Sequence, residues 1–269
     1  MSGLESGGAS TIVVPCFNEE RRLQPAAFRA LAEAPGVRVL FVDDGSTDGT
    51  ARVLAEASAL LGETASVLRL ERNSGKAEAV RRGLLHAIDQ GATIAGYLDA
   101  DLATPPLEML RLLKIVGEND AEVALGSRVA LLGRRIERKA SRHYLGRVFA
   151  TLASILLDLR VYDTQCGAKA FLVTPLLRAV LDEPFHARWA FDVELIGRLL
   201  AGAPGIAGLT EQSFVEMPLR VWTDVEGSKL RPKQFPLLGL ELLRIHFALA
   251  RRRSAAAALP PPAAKKHLA

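Results

Sequence analysis

The chain has 269 residues, 49% of them hydrophobic, and a formal net charge of +4. A chain of this length and composition can bury a full hydrophobic core. Two cysteines, Cys16 and Cys166, provide no disulfide framework and are typical of a reducing compartment. The first residues lack the basic start and apolar run of a secretory signal, and no stretch of about 18 uncharged apolar residues predicts a membrane-spanning helix.

Apolar runs and helical periodicity alternate through the first half of the chain. We predict strands near 11–15, 37–43, 65–70, 93–99 and 121–127. The predicted helices lie near 22–34, 49–61, 76–90 and 105–117. Short alternating units of this kind indicate an α/β protein with a mostly parallel sheet and helices on both of its faces.

The pattern changes after the fifth predicted strand. Residues 129–142 are basic and predicted to be irregular, and a long helix follows near 140–159. Shorter strand and helix pieces fill 164–221, and the apolar segment 235–249 predicts a final helix. The two halves of the chain therefore differ in organisation.

Two aspartates, Asp99 and Asp101, follow the apolar run 93–98. Two carboxylates beside one open site are hard to bury without a cation. Hard divalent ions such as Mg²⁺ or Mn²⁺ bind carboxylate oxygens and keep substrate phosphates as further ligands. The pair therefore predicts a metal that holds a diphosphate, with Asp101 as the direct ligand and Asp99 as a second ligand or a ribose–phosphate contact. The alternative is a pair of solvated turn aspartates.

Two earlier strand ends also carry carboxylates, in residues 16–20 and 43–50. Strand ends of an open parallel sheet lie along one edge, where ligands bind. Three such ends predict a nucleotide site, and Asp48 is expected to cap the following helix. A G-x-G-x-x-G fingerprint is absent, and residues 73–78 lack the first Gly and the Ser or Thr of a P-loop.

Several motifs carry a resemblance to a known family. Residues 14–20, 42–48, 73–76 and 99–101 resemble the inverting glycosyltransferases of family 2, which have a GT-A fold. Residues 126–128, 163–169, 188–194 and 222–229 are similar to the dolichyl-phosphate β-glucosyltransferase subgroup of polyprenyl-phosphate glycosyltransferases. The resemblance runs from about residue 11 to residue 230.

The resemblance implies a Rossmann-like GT-A fold with a C-terminal acceptor-side region and a helical tail. We expect one glycosyltransferase domain over 11–253, with a nucleotide-sugar half at 11–127 and an acceptor half at 128–253. Residues 1–10 are predicted to be a flexible terminus. Residues 254–269, which are rich in Ala and Pro, are predicted to be disordered.

The resemblance also assigns donor contacts. Glu19 resembles the ribose contact, and Asp44 resembles the contact to the imide N–H of uracil. Arg128 and Lys229 resemble basic residues that complement the diphosphate, and Lys76 is expected to brace the nucleotide loop or to be a solvated helix residue. The predicted nucleotide-sugar contacts are Pro15, Phe17, Glu19, Asp44, Lys76, Asp99, Ala100, Asp101, Arg128 and Lys229.

The acceptor decides whether a general base is needed. A lipid phosphate is already ionised at pH 7, whereas a sugar hydroxyl requires a base. Asp192 is the leading candidate for a catalytic base, ahead of Glu194; the alternatives are that Asp192 positions the acceptor or caps its helix. Arginines match phosphate oxygens in pairs, and tryptophans stack on sugars or belong to the core. The predicted acceptor contacts are Arg134, Arg135, Arg138, Arg142, Trp189 and Trp222.

These observations predict a metal-dependent transferase that moves a sugar, most simply glucose, from a UDP-sugar to a polyprenyl phosphate with inversion. One alternative is a family 2 enzyme with a soluble hydroxyl acceptor and Asp192 as its base. A nucleotidyltransferase is disfavoured because no Gly-rich loop follows the first strand. A non-catalytic nucleotide-binding protein is disfavoured because both Asp99 and Asp101 are present.

The C-terminal region predicts contact with a membrane. Residues 231–269 hold eight Lys or Arg and a single acidic residue, Glu241. The apolar final helix is followed by three arginines at 251–253, a combination that suits an interface helix on anionic lipid. We therefore predict a cytoplasmic protein, peripheral on the inner face of the membrane. The alternatives are leucines that only pack on the domain and a basic tail that aids solubility. Nucleic acid is not a predicted partner, because the tail has little aromatic interleaving and the body is acidic.

Overall fold

A computed structural model describes residues 9–118, 121–137, 140–225 and 235–257, with the side chains of 140–145, 235–236 and 256–257 outside the description. The strands are β1 (Ser10–Cys16), β2 (Val37–Asp43), β3 (Ala65–Arg69), β4 (Ile94–Leu98), β5 (Val123–Ser127), β6 (Arg135–Glu137), β7 (Ala168–Leu172), β8 (Phe214–Pro218) and β9 (Val221–Thr223). The five strands predicted in the first half are confirmed. Strand β6 lies in the basic segment that was predicted to be irregular.

Seven strands form one sheet in the order β3-β2-β1-β4-β7-β5-β8, and β6 pairs with β9 in a separate parallel ladder. Neighbours in the large sheet are parallel except at β7, which runs antiparallel to both β4 and β5. The mostly parallel sheet with flanking helices is therefore as predicted.

The helices are α1 (Arg29–Ala32), α2 (Thr50–Leu61), α3 (Lys76–Asp89), α4 (Pro106–Gly117), α5 (Ala140–Leu157), α6 (Pro175–Leu181), α7 (Phe191–Ala201) and α8 (Phe235–Ala257). The helix predicted over 22–34 is present only in part. That segment holds only a 3-10 turn at Pro25–Phe28 and the single turn of α1. The Glu19 carbonyl closes a turn with the N–H groups of Arg22 and Leu23, and Pro25 has no N–H with which to extend it.

The core lies on both faces of the large sheet. Along β1, Val13 belongs to one apolar cluster, and its neighbours Ile12 and Val14 belong to the other. Helices α3, α5, α6, α7 and α8 cover the first face, and α1, α2 and α4 cover the second. Strands buried on both faces need continuous apolar runs, which is why β1, β2 and β4 are readable in the sequence.

The reversed strand β7 connects the two halves of the chain. Its first residue, Ala168, lies opposite Leu98 at the end of β4, and Lys169 lies opposite Tyr97. The segment 163–167, which precedes β7, therefore meets the edge where the parallel strands end. Residues from the second half of the chain reach the predicted metal site by this route.

Helix α8 packs on the domain through residues spaced along one side. Leu238, Leu242, Ile245 and Leu249 are buried. The helix continues to Ala257, four residues into the segment predicted to be disordered, and those residues include alanines, which have the highest helix propensity. In the part of the chain that the structure describes, no helix combines the length and apolar character needed to cross a membrane.

Candidate active site

The turn after β4 carries Asp99 and Asp101. The backbone N–H of Asp99 donates to the Gly167 carbonyl at 2.9 Å, and a Cβ at Gly167 would lie 2.2 Å from Asp99 Oδ2. Asp101 Oδ1 accepts the N–H of Ala103 at 3.1 Å, and Leu102 between them has a φ of 59°. Gly167 and this turn therefore fix where both carboxylates stand.

Lys76, the first residue of α3, approaches the same carboxylates. Its Nζ lies 2.6 Å from Asp99 Oδ1. Partial desolvation opposes the charged ammonium, whose side chain remains 42% exposed, but the carboxylates of Asp99, Asp192 and Asp101 outweigh it and raise the pKa of Lys76. The lysine expected to brace the nucleotide loop thus contacts the predicted metal ligand directly.

The two carboxylates fit a divalent cation whose remaining ligands come from the substrate. Within the described ranges, no group of three or more His, Cys, Asp or Glu side chains is placed to hold a metal. Asp99 Oδ1 is buried, and the contact described for it is the Lys76 ammonium at 2.6 Å, so this oxygen already faces a positive charge. Burial and the neighbouring Asp99 raise the pKa of Asp101, so a cation here would relieve a repulsion. Mg²⁺ and Mn²⁺ suit two carboxylates completed by phosphate oxygens and water.

Asp44 joins the loops after β2 and β3. Its two carboxylate oxygens accept the N–H groups of Ser74 and Gly75, each at 2.8 Å. Asp44 is buried, and burial raises the pKa of its carboxyl against the effect of these two hydrogen bonds. The carboxylate holds the loop that carries Ser74 and Gly75, and its contact to uracil stays a prediction that would use the remaining lone pairs.

Two further aspartates of the β2 turn have structural roles. Asp43 Oδ1 accepts the N–H of Ser46 at 2.9 Å, which closes the turn. Asp48 Oδ1 accepts the N–H of Thr50, the first residue of α2, at 3.0 Å, although the N-cap position itself is Gly49, so Asp48 supports the helix start from one residue earlier than a cap. Asn18 Oδ1 accepts the N–H of Thr47 at 2.9 Å and ties the β1 loop to this turn.

Glu19, the predicted ribose contact, is buried beside Arg22. Both of its oxygens accept from the Arg22 guanidinium, at 2.6 and 2.8 Å. The sequence analysis missed this partner, although three-residue spacing between opposite charges favours such pairs. Of the predicted walls, Pro15 and Phe17 are partly exposed at the end of β1, whereas Ala100 is buried in a core cluster. The ribose contact stays a prediction.

Asp192, the predicted catalytic base, is buried and held by two side chains from the sheet. Its Oδ1 accepts from Lys169 Nζ at 2.7 Å and from the Tyr97 hydroxyl. Lys169 also donates to the Cys166 carbonyl at 2.6 Å. The helix-cap alternative is wrong, because Ala190 is the N-cap residue of α7 and Asp192 lies inside the first turn of the helix. The geometry favours a positioning role for Asp192.

Lys169 was not predicted as a functional residue. It is fully buried in β7, whose other residues are Ala, Phe and Leu. A lysine in such a strand is almost never buried without a partner, so this position was a signal in the sequence. What the sequence could not show is that Tyr97 and Asp192 are the partners.

Glu194, the weaker base candidate, is engaged in structure. It is buried, pairs with Arg198 at 2.7 Å, and accepts the N–H groups of His186 and Ala187 at 2.9 and 2.8 Å. Burial alone would raise the pKa of Glu194, but Arg198 and these hydrogen bonds lower it. The carboxylate holds the segment that leads into α7.

Arg128, a predicted diphosphate contact, pairs with Asp163. Its Nε and one terminal nitrogen lie 2.7 and 2.8 Å from the two oxygens of Asp163, and its backbone N–H donates to Asp163 at 3.0 Å. Its guanidinium lies 5.4 Å from the ring centre of Trp222, which is 8% exposed. Trp222 is therefore a core residue that supports Arg128, and the diphosphate contact stays a prediction.

The remaining acceptor candidates are dispersed. Arg135 is exposed and pairs with Glu137 at 2.8 Å, and Arg134 lies in the preceding turn. Trp189 is 36% exposed and stacks edge-on against Phe149. The other candidates, Arg138, Lys229 and the side chain of Arg142, lie outside the described residues.

Comparison with known proteins identifies the family. The family model described as "Glycosyl transferase family 2" matches residues 11–177. The chain belongs to glycosyl transferase family 2. This family 2 glycosyltransferase is 34% identical to a dolichyl-phosphate beta-glucosyltransferase of Drosophila melanogaster, over 82% of the chain and 69% of that relative. A human protein of the same name is 33% identical with the same coverage, and a polyprenol monophosphomannose synthase of Mycolicibacterium smegmatis is 26% identical over 83% of each chain.

A solved structure shows the same fold. The glucosyl-3-phosphoglycerate synthase of Mycobacterium tuberculosis, crystallised with Mn²⁺, UDP and glucosyl-3-phosphoglycerate, aligns with a TM-score of 0.62 and 19% identity. The alignment covers 94% of this glycosyltransferase and 81% of that chain. The predicted GT-A fold, family and enzyme class are confirmed.

Proposed function

We propose that this glycosyltransferase moves a glucosyl group from UDP-glucose to a polyprenyl phosphate. The similar proteins named dolichyl-phosphate beta-glucosyltransferase, at 34% and 33% identity, support this substrate pair. The hydrogen-bond and ion-pair partners of Asp192 favour a phosphate acceptor over a hydroxyl acceptor. Its charge is compensated by the buried Lys169 and one oxygen is already used by two donors, which suits an acceptor that arrives ionised and needs no base.

The donor end of the reaction rests on the β4 turn. Asp99 and Asp101 would hold Mg²⁺ or Mn²⁺, which as a Lewis acid stabilises the charge of a leaving diphosphate. Asp44 and Glu19 would orient the uridine from the neighbouring loops, and Lys76 adds positive charge beside the phosphates. The acceptor phosphate attacks the anomeric carbon in one displacement, so an α-linked donor gives a β-linked product.

The acceptor end lies at a membrane in this proposal. Helix α8 leaves four large apolar residues exposed: Leu237 (60%), Leu240 (50%), Leu243 (56%) and Phe247 (62%). Helix α5, which contacts α8, exposes Val148, Leu152 and Ile155. Arg244, Arg251 and Arg253 on α8 are exposed as well. Exposed apolar residues beside arginines suit the surface of an anionic bilayer, and we place the enzyme on the cytoplasmic, inner face.

The test supplies labelled UDP-glucose and Mn²⁺ to the full-length protein with vesicles that contain a polyprenyl phosphate. We expect label in the organic phase, its loss in EDTA, and a β signal for the anomeric proton by NMR. Asp101→Asn should lower the rate at least 100-fold. Asp89→Asn is the matched control, because this exposed aspartate pairs only with Arg178 among the described residues.

Three results would contradict the proposal. Transfer to water-soluble hydroxyl acceptors but not to the lipid phosphate would favour the alternative in which Asp192 acts as a base. Full activity in EDTA would show that the reaction needs no metal. An α-linked product would exclude a single displacement.

A further inference from the structure

Lys76 stands where a cation is expected. Its Nζ lies 2.6 Å from Asp99 Oδ1 and 5.8 Å from the ring centre of Phe191. This contact is a close ion pair in which the ammonium can also donate a hydrogen bond to the carboxylate. The ammonium therefore compensates the charge of Asp99.

The surroundings allow Lys76 to leave this position. Its side chain is 42% exposed and that of Asp99 is 28% exposed, and a lysine ammonium sits on a flexible four-carbon stem. Lys169, a second lysine near these carboxylates among the described residues, is fully buried and hydrogen-bonded twice. Of these two ammonium groups, that of Lys76 is the one with room to move.

The charges near the turn give a physical reason for such a movement. Carboxylates of Asp99, Asp101 and Asp192 face the ammonium groups of Lys76 and Lys169. A divalent cation beside Asp99 would meet the Lys76 ammonium at a few ångströms, where the two positive charges repel each other, more strongly near protein than in bulk water. A diphosphate brings negative charge that attracts both cations and removes this conflict.

We propose that Lys76 is the resident counter-ion of the metal site. Its ammonium neutralises Asp99 in the substrate-free protein and turns to the phosphate oxygens when a nucleoside diphosphate arrives with the metal. This inference rests on the proposed function, which supplies the metal at Asp99 and Asp101. Lys76 thereby makes the affinity for the metal depend on the diphosphate. By linkage, the metal changes the affinity for the diphosphate by the same factor.

The test measures Mn²⁺ affinity of the full-length protein by electron paramagnetic resonance, with and without UDP. In the wild type we expect UDP to tighten Mn²⁺ binding at least tenfold. In Lys76→Met we expect Mn²⁺ alone to bind about tenfold more tightly and the effect of UDP to shrink. Lys76→Arg should keep the wild-type pattern. Lys114→Met, an exposed lysine of α4 paired with Glu118, is the matched control.

The outcomes separate this inference from the proposed function. If Lys76→Met binds Mn²⁺ alone no more tightly than the wild type, while Asp101→Asn loses Mn²⁺ binding, Lys76 is not the counter-ion and the metal site stands. If Asp101→Asn binds Mn²⁺ as the wild type does, the metal site is elsewhere and both proposals fail. Thermal unfolding of each variant checks that its fold is retained.

Discussion

The two halves of the site compensate their carboxylates by different means. In the first half, Asp43 and Asp44 are held by backbone N–H groups of nearby loops. In the second half, the carboxylates pair with buried cations: Asp163 with Arg128, Asp192 with Lys169, and Glu194 with Arg198. Asp99 and Asp101 lie between these groups.

The difference shows which part of the site is ready for a ligand. Backbone N–H groups orient a carboxylate but add no formal charge, so Asp44 keeps its negative charge, whereas Glu19 in the same half is paired with Arg22. Buried ion pairs cancel charge and lose heavily when one partner is removed. The second half is therefore the rigid wall of the site, and the first half is where cations and ribose hydroxyls are expected.

Removal of Lys169 should have the largest effect. Lys169→Met leaves Asp192 buried without its cation, and we expect a loss of about 3–5 kcal/mol in the free energy of unfolding. Urea denaturation at pH 7 measures it, with Lys114→Met as the control. Adding Asp192→Asn to Lys169→Met should restore part of the loss. A loss below about 1 kcal/mol would mean that the pair contributes little to the rigid wall.

The Arg128–Asp163 pair predicts a dependence on pH. Burial opposes the charged carboxylate, but Arg128 outweighs it and holds the pKa of Asp163 well below its usual range. Between the folded and unfolded pKa values the unfolded chain binds the proton, so the stabilisation is complete above about pH 4 and is lost as the pH falls further. Asp163→Asn should cost roughly 2–3 kcal/mol at pH 7.

Urea denaturation of the wild type and of Asp163→Asn at pH 7, 5, 4 and 3 tests this sign. The difference in unfolding free energy between them should narrow below pH 4. A difference that stays constant over this range would show that the ion pair does not control the titration of Asp163.

A substitution at Gly167 tests whether the position of the Asp99 carboxylate, between the two halves of the site, matters for metal binding. In Gly167→Ala the new Cβ would lie 2.2 Å from Asp99 Oδ2, so the carboxylate must shift. We expect kcat/KM to fall at least tenfold, about 1.4 kcal/mol in the barrier, and Mn²⁺ affinity to fall with it. Gly117→Ala is the control, because its Cβ would meet only Ile94 at 3.6 Å. Unchanged Mn²⁺ affinity in Gly167→Ala would separate Asp99 from the metal.

The smallest effect is expected at the membrane. Phe247→Ser removes a 62% exposed ring from α8 and should weaken binding to anionic liposomes about fivefold, roughly 1 kcal/mol. Leu60→Ser on α2, where Leu60 is 46% exposed, should leave binding unchanged. Co-sedimentation at low and high salt measures both, since salt screens the arginines. If the wild type does not co-sediment with anionic liposomes at low salt, the membrane surface is not its site of action.

The sequence was sufficient for features that depend on neighbouring residues. Strands β1, β2 and β4 were predictable because strands buried on both faces need continuous apolar runs. Asp99 and Asp101 were predictable as a pair because they follow one strand within three residues. The segment 22–34 shows the limit of this argument, since Leu23 is buried from a loop and Phe28 from a 3-10 turn rather than from the predicted α-helix.

The partners of each charge required the tertiary structure. Asp192 was identified as a functional candidate, but its pairing with Lys169 depends on β7 running antiparallel beside β4, which places Lys169 opposite Tyr97. Arg128 was identified from its motif, but only the packing of residues 163–167 shows that Asp163 occupies it. Local sequence thus determined which strand ends carry charge, because turns and apolar runs are local. The fold decided which charges meet, because charges far apart in sequence are brought together only by the order and direction of strands.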